Sequence, residues 1–315
     1  MKTEKKFIII DGNSIVHRAY HALPDLTDKK GEAAGAVYGF ILALFKIVKD
    51  FEPDYIATCF DTAKPTFRHI EFKEYKAKRP ATPDDLKAQL GRVRTLLCDL
   101  NIAFFEKEGF EADDLLATVI KKTREEEAGR ELMVYVLTGD RDSLQLVNER
   151  TKMYILNRGV KNSFIYDREK ILEDYGIEPE QVVALKALAG DASDNIPGVH
   201  GIGEKGALEL LKKYKTLRRM YERAETEPEN FLDGSKTKSA RVRDLLLENK
   251  EKVFFFERMV HMRDDAPIDY RLQECLFTDF DPKRTEAVLC ELGFVSLAKR
   301  IPFKTHSVIQ TLFKI

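Results

Sequence analysis

Three short apolar runs in this chain stop at the same residue type. "FIII" ends at Asp11, "YIATCF" ends at Asp61, and "MVYVLTGDRD" delivers Asp140 and Asp142. Runs this short, rich in β-branched and aromatic residues, suit strands buried on both faces. Helical stretches separate them, notably "AVYGFILALFKIVKDF" and "LLATVIKKTREEEAG". That alternation predicts an α/β fold built on a parallel sheet. Ligands of such sheets collect outside the carboxyl ends of the strands, so four aspartates from three strands should converge on one edge. Asp140 and Asp142, two apart in an extended stretch, should point to the same side.

Further acids join them. "GFEADDLLATV" places Glu111, Asp113 and Asp114 at the start of a helix that precedes the third strand. Acids favour helix N-termini, which would explain one of them alone. Glu111 and Asp114, three apart, should share a helical face. "GDASDNIPG" adds Asp191 and Asp194, for which turn chemistry is also sufficient when they are taken alone. Together the nine carboxylates present an electrostatic problem. Two unit charges 4 Å apart repel by roughly 4 kcal/mol at an effective dielectric of 20. A cluster of that kind takes up protons or collects cations. Oxygen ligands without His or Cys favour Mg²⁺ or Mn²⁺ over zinc. The pattern therefore predicts two divalent ions, the arrangement used for phosphodiester hydrolysis.

Charge is segregated although it nearly cancels: 52 Lys and Arg stand against 53 Asp and Glu, a net charge of -1. Residues 64–94 hold nine Lys or Arg against four Asp or Glu. Helical spacing puts Lys76 and Arg79 on one face beside Tyr75. Pro80 should end that helix, and Thr82-Pro83 should open a second one. A solvated surface hairpin and a phosphate-binding element fit this charge equally. Beside a metal site for phosphodiesters the second gains, because phosphate contacts supply most nucleic-acid affinity.

A second basic element is "NIPGVHGIGEKGALELLKKYKTLRR". Gly198, Gly201, Gly203 and Gly206 have the spacing of a helix-hairpin-helix, followed by Lys205, Lys212, Lys213 and Lys215. Such a hairpin lets backbone N–H groups approach a phosphate. It follows no predicted strand, which disfavours a dinucleotide-binding turn.

Cys59, Cys98, Cys275 and Cys290 show no pairing pattern, so neither a zinc site nor a disulfide framework is expected. The apolar run after "MKTEKK" is too short for a signal peptide. No stretch approaches the roughly 20 apolar residues needed to span a bilayer. A soluble cytoplasmic protein is expected.

"FIIIDGNSIVHRAYHAL", "CFDTAKPTFRHIEFKEYKAKRP", "GFEADDLLATV", "VLTGDRDSLQLV" and "GDASDNIPGVHGIGEKGA" together resemble the 5′-nuclease domains of bacterial DNA polymerase I, in the flap endonuclease superfamily. The resemblance runs from about residue 7 to about residue 300. It implies a PIN-like parallel-sheet core over residues 1–185, with a helical arch at about 66–100. A mainly helical helix-hairpin-helix subdomain should follow at 186–300, then a tail at 301–315.

The resemblance also implies a structure-specific 5′-3′ exonuclease and 5′-flap endonuclease of replication, Okazaki-primer processing and repair. Asp11, Asp61, Glu111, Asp113 and Asp114 would serve one Mg²⁺, with Asp140, Asp142, Asp191 and Asp194 completing the second, and Mn²⁺ as a substitute. Lys76 and Arg79 match arch residues that polarise the scissile phosphate, and Arg18 and Arg68 match further phosphate contacts. Tyr75 matches a position that stacks on a terminal base. Gly201, Gly203, Lys205 and Gly206 would grip downstream duplex, with K⁺ in the hairpin loop. The implied partners are DNA with 5′ flaps, nicks or RNA-primed 5′ ends and a DNA polymerase, met by a monomer at the bacterial nucleoid.

Relatives of this kind continue into proofreading-like and polymerase domains. Here "RIPFKTHSVIQTLFKI" matches no motif, and both a free-standing nuclease and a piece of a longer product fit. Two other classes remain: a DNA-binding scaffold without catalysis, and a PIN-type ribonuclease, which would lack the arch and the hairpin. A metal-dependent phosphatase fits less well, since "IIIDGNS" lacks a second aspartate two positions after the first.

Overall fold

Side chains alternate across the first strand. In β1 (Lys6–Asp11), Phe7 and Ile9 enter one apolar layer while Ile8 and Ile10 enter the other, all at most 1% exposed. A strand buried on both faces needs cover on both, and the chain supplies it. The computed structural model describes residues 4–156, 163–227, 231–232 and 236–302. Most of the expected tail lies outside the described residues.

Strand β1 is central in a six-stranded sheet with β2 (Tyr55–Phe60), β3 (Ala103–Glu106), β4 (Met133–Thr138), β5 (Thr151–Leu156) and β6 (Ser163–Tyr166). The order is β3-β2-β1-β4-β5-β6, parallel except for β6. The chain proceeds outward from β1 to β2 and β3, then returns to its other side for β4 and β5. That reversal places the topological switch point between the ends of β1 and β4.

One face of the sheet is covered by α1 (Gly12–Ala22), α2 (Gly35–Phe51) and α4 (Asp84–Asp99), with Val16, Phe40, Leu44 and Val93 among the buried residues. Each such large side chain contributes about 1.5–3 kcal/mol. The opposite face is covered by α5 (Ala112–Glu125) and α6 (Arg168–Tyr175). A third core belongs to α7 (Val182–Ala189), α8 (Glu204–Tyr214), α9 (Leu217–Thr226), α10 (Lys236–Glu248) and α11 (Lys250–Val260). Among the described residues, no helix is long and apolar enough to cross a membrane.

Two expectations need correction. The subsdomain expected at 186–300 does not run to its end. After α11 the chain returns to the sheet, where Ala266, Leu272 and Cys275 join one core layer. Phe277, Phe280, Leu289, Phe294 and Leu297, the last three around α12 (Pro282–Glu291) and α13 (Val295–Ala298), join the other.

The arch also differs. A five-residue α3 (Phe67–Glu71) is followed by turns, not by a helix carrying Lys76 and Arg79. Lys76 has φ +54°, which a right-handed helix excludes. The second helix starts at Asp84 with Pro83, not Thr82, in the capping position.

Candidate metal centre

The end of β1 supplies the first acid. Asp11 is 4% exposed and caps α1, its Oδ1 accepting the Ser14 N–H at 3.0 Å and its Oδ2 the Thr138 hydroxyl at 2.8 Å. Burial pushes its carboxyl up to about 7 against those two hydrogen bonds, with help from Asp61 and Asp140. Asp61 follows β2 and accepts the Ala112 N–H, the first of α5, at 2.6 Å. Burial nevertheless raises its pKa. Asp113 lies in the first turn of α5, where burial and then the charges of Asp11 and Asp140 hold it well above the usual carboxylate range.

Beyond β4 the geometry is tighter than an extended strand. The strand stops at Thr138, and Asp142 opens a short 3₁₀ turn. Asp140 Oδ1 accepts the Asp142 N–H at 2.9 Å, so the two acids form a turn instead of two successive outward positions on one strand. Burial and then Asp140 raise Asp142 to about 7, although Lys186 opposes this.

The loop after α7 is closed by reciprocal backbone hydrogen bonds between Asp191 and Ile196, at 2.7 and 2.8 Å. Gly190 and Gly198 cross beneath it. A Cβ on Gly198, whose φ is +62°, would lie 2.3 Å from the Gly190 nitrogen. Asp191 accepts from Lys186 Nζ at 2.6 Å and from the Ser193 N–H and hydroxyl, each at 2.7 Å. Burial pushes Asp191 up, but those bonds outweigh it and hold the carboxyl below the usual range.

Segment 72–79 folds down onto these acids. The Lys76 N–H donates to the Asp194 carbonyl at 3.0 Å, and Asn195 Nδ2 donates to the Glu74 carbonyl at 2.7 Å. Lys76 Nζ lies 2.9 Å from Glu111 and 3.9 Å from Asp194, and Arg79 Nη2 lies 2.7 Å from Asp194. The Tyr75 hydroxyl reaches Glu111 at 3.0 Å and Asp194 at 2.8 Å. Tyr75 is only 3% exposed and belongs to the third core, so its ring is no surface for a stacked base here.

Two more expected residues are used otherwise. Arg68, 2% exposed, donates to both Asp114 oxygens at 2.7 and 2.8 Å and to the carbonyls of Met259 and His261. Asp114 is fully buried and also accepts the Glu111 and Arg263 N–H groups at 3.0 and 2.8 Å. Glu111 and Asp114 share a capping box, each satisfying the other's part of the helix start. Asp114 thus holds α5, α3 and the returning chain together as the buried counter-ion of Arg68, while Arg68 also lines the acidic cavity, 3.4 Å from Glu111.

The remaining acids do converge. Glu111, Asp113, Asp142, Asp191 and Asp194 line one cavity of about 20 Å³, space for about one water molecule. Asp11, Asp61 and Asp140 reach it through their charge on Asp113 and one another. Among the described residues no three of these groups already close around one point as an ion cage. Protein cations stand between them instead. Lys186 Nζ is 2.6 Å from both Asp142 and Asp191, and Lys76 lies between Glu111 and Asp194. The donor set consists of oxygens alone, and several carboxyls bear pKa values that a nearby cation would lower. Both properties fit hard divalent ions.

Lys186 escaped the sequence reading. Its signal was available: it is the single charge in the otherwise apolar helix "VVALKALA". Asn13 and Thr138, which orient Asp61 and Asp11, carried no distinguishing pattern. Arg18 lies on α1 with its guanidinium beside Gly139, next to Asp140. At the hairpin, Gly203 occupies the N-cap of α8, with Lys205 and Gly206 in its first turn. Gly201, Gly203 and Lys205 are exposed there.

Two family profiles match the chain. "5'-3' exonuclease, N-terminal resolvase-like domain" covers residues 6–176, and "5'-3' exonuclease, C-terminal SAM fold" covers 177–283. The chain is 36% identical over 301 residues to DNA polymerase I of Bacillus subtilis, covering 96% of this chain and 33% of the relative. It is 38% identical over 299 residues to that of Bacillus caldotenax, covering 95% and 32%. The chain therefore spans about a third of the length of the curated relatives it matches.

Among solved structures, a T5 5'-exonuclease with bound divalent metal ions (zinc) superposes with a TM-score of 0.63 at 19% identity, over 94% of this chain and 99% of that one. The catalytic core of Rad2 in complex with DNA substrate gives 0.59 at 19% identity, over 92% and 88%. At that identity the two structures bear on the fold alone.

Proposed function

The chain belongs to the 5′-3′ exonuclease family, and from that premise we propose that it hydrolyses phosphodiesters near 5′ ends and at the base of 5′ flaps in DNA, using two Mg²⁺ ions. Mn²⁺ would substitute. One observation carries the reading: five carboxylates from three separate regions of the chain line a single cavity, with the protein's own ammonium groups between them. Asp11, Asp61, Glu111 and Asp113 would serve one ion and Asp140, Asp142, Asp191 and Asp194 the other, some through water. When bound, the ions lower the pKa of water and offset charge on the leaving oxygen.

The chain's own residues do the rest. Lys76 and Arg79, released from Glu111 and Asp194, would face a phosphate in their place and offset the charge that develops on it. Lys186 would keep Asp142 and Asp191 at a fixed spacing. Arg18, beside the Asp140 turn, is available to a non-bridging phosphate oxygen. The hairpin from Gly201 to Gly206 presents N–H groups and Lys205 to a duplex backbone, with K⁺ as its structural ion. Unpairing the terminal nucleotides costs a few kcal/mol, which favours frayed and flapped ends. In the cell this activity would remove RNA-primed 5′ ends and repair intermediates beside a DNA polymerase. The enzyme would act as a monomer at the nucleoid.

The test is cleavage of an end-labelled 5′-flap duplex in Mg²⁺. Asp142→Asn should abolish turnover while flap affinity in Ca²⁺ stays within a few fold. Undiminished Mg²⁺-dependent turnover in that variant would remove the metal assignment. A wild-type chain that binds flaps without cutting them would leave a DNA-binding scaffold.

A further inference from the structure

Beside the acidic cavity lies a larger, half-open one, of about 820 Å³, lined by Arg141, α7, the loop after it and the segment carrying Lys78. Its floor is apolar, formed by Leu144, Ile177, Val182 and Leu185, all buried. Its rim is cationic. Lys78 and Arg141 are exposed, and neither forms an ion pair with another described residue. Arg141 donates to the Tyr175 hydroxyl at 3.1 Å, which orients the guanidinium, and its charge reaches the Asp174 carboxylate without closing an ion pair. Lys186 and Asp191 form the wall shared with the carboxylate cluster, and Glu204 stands on the rim, so the lining has one positive charge in excess.

These features select a ligand class. A free anion has no use for a buried apolar floor, and an apolar ligand has none for two exposed cations. A nucleotide carries a flat, largely apolar base and an anionic phosphate in one unit, and the volume lies in the range of small-molecule sites. Asp191 lines both cavities and Lys186, in the wall of this one, is 2.6 Å from Asp142, so a ligand here would adjoin the carboxylate cluster. We infer that this cavity is a subsite for the 5′-terminal nucleotide, base on the apolar floor and phosphate on Arg141 and Lys78, and that it holds the mononucleotide after cleavage. The inference rests on the nuclease reading and names a product site for it.

The experiment is calorimetric titration of the full chain in EDTA with thymidine 5′-monophosphate, thymidine and inorganic phosphate. The monophosphate should bind at least tenfold more tightly than either component. Arg141→Gln combined with Lys78→Gln should weaken it about tenfold while leaving thymidine binding unchanged, and Ala189→Phe, which fills the cavity wall, should weaken both. Circular dichroism establishes that each variant is folded. Absence of saturable binding, affinity unaffected by either variant, or phosphate binding as tightly as the nucleotide would overturn the inference. Flap cleavage in Mg²⁺ on the same samples separates the two readings. A chain that cuts but does not bind the nucleotide loses only this subsite, and one that binds without cutting loses the nuclease assignment.

Discussion

Replacing Arg68 with methionine keeps an apolar stem of similar length and deletes every donor. In the folded chain those donors serve both oxygens of Asp114, at 2.7 and 2.8 Å, and the carbonyls of Met259 and His261, at 2.7 and 2.9 Å. Asp114 has no exposed surface, so water cannot replace the guanidinium. Removing one partner of a buried pair costs about 3–5 kcal/mol. The orphaned carbonyls belong to the same local failure and are not added separately. Against a total stability of about 5–15 kcal/mol, this is at least about a fifth. The melting temperature should fall by on the order of 10 °C.

The assay is urea denaturation followed by circular dichroism, on Arg68→Met and on Arg68→Met combined with Asp114→Leu. Removing both charges should recover much of the loss, because the uncompensated carboxylate disappears. At a temperature where the single variant is folded, its flap affinity should match wild type. A loss below about 1 kcal/mol in the single variant, on the scale of an exposed pair, would refute the reasoning, as would a double variant no more stable than the single. A fall in flap affinity in the folded single variant would return Arg68 to the phosphate contact that its sequence position suggested.

Two predictions concern the loop and the acids. Gly198→Ala would force a left-handed φ of +62° on a side chain and drive its Cβ to 2.3 Å from the Gly190 nitrogen. Each backbone violation costs about 1–3 kcal/mol. Denaturant melts should show at least that loss, and an unchanged midpoint would contradict the geometry. In metal-free protein, Asp11 and Asp142 have folded pKa values of about 7, raised from 3.8. The folded state then binds more protons than the unfolded state between about pH 4 and 7, so their contribution to stability falls as pH rises through that window and levels off above it. Asp191, shifted downward, acts only below that window. Melts in EDTA at pH 5 and 8 should show wild type losing stability relative to Asp11→Asn/Asp142→Asn, and equal differences at the two pH values would refute the assignment.

What the sequence disclosed depended on how local the cause was. The ends of β1 and β2 were readable because a buried strand needs an uninterrupted apolar run, and the acid that stops the run marks its exit. Strands β3 and β6 were not identified, since "AFFE" and "SFIY" are too short to distinguish from other apolar segments, and β5, "TKMYIL", has no acid at its end to mark it. Lys76 and Arg79 have helical spacing, yet Tyr75 and Lys76 reach acids far away in the chain and the backbone turns to let them. That competition is tertiary and leaves no local trace. Glu111, Asp113 and Asp114 looked like one feature and serve three purposes: a cap that also meets Lys76, a member of the acidic cluster, and a buried counter-ion for Arg68. The partner that decides between them, the 259–263 return, lies in another part of the sequence.

The return of the chain after α11 bears on how the protein is made. Leu276 bridges to Tyr55 at the sheet, the Phe277 N–H bonds the Asp54 carbonyl at 2.8 Å, and Phe280, Leu289, Phe294 and Leu297 fill the layer beneath α2. A ribosome releases the strands first and these plugs well after them. The nascent sheet must therefore wait with part of its oily underside open while the helical region emerges and folds. Contacts so distant along the polymer slow folding, and surface left bare in the meantime invites aggregation. A fragment cut at the apparent junction near residue 185 would carry that opening permanently.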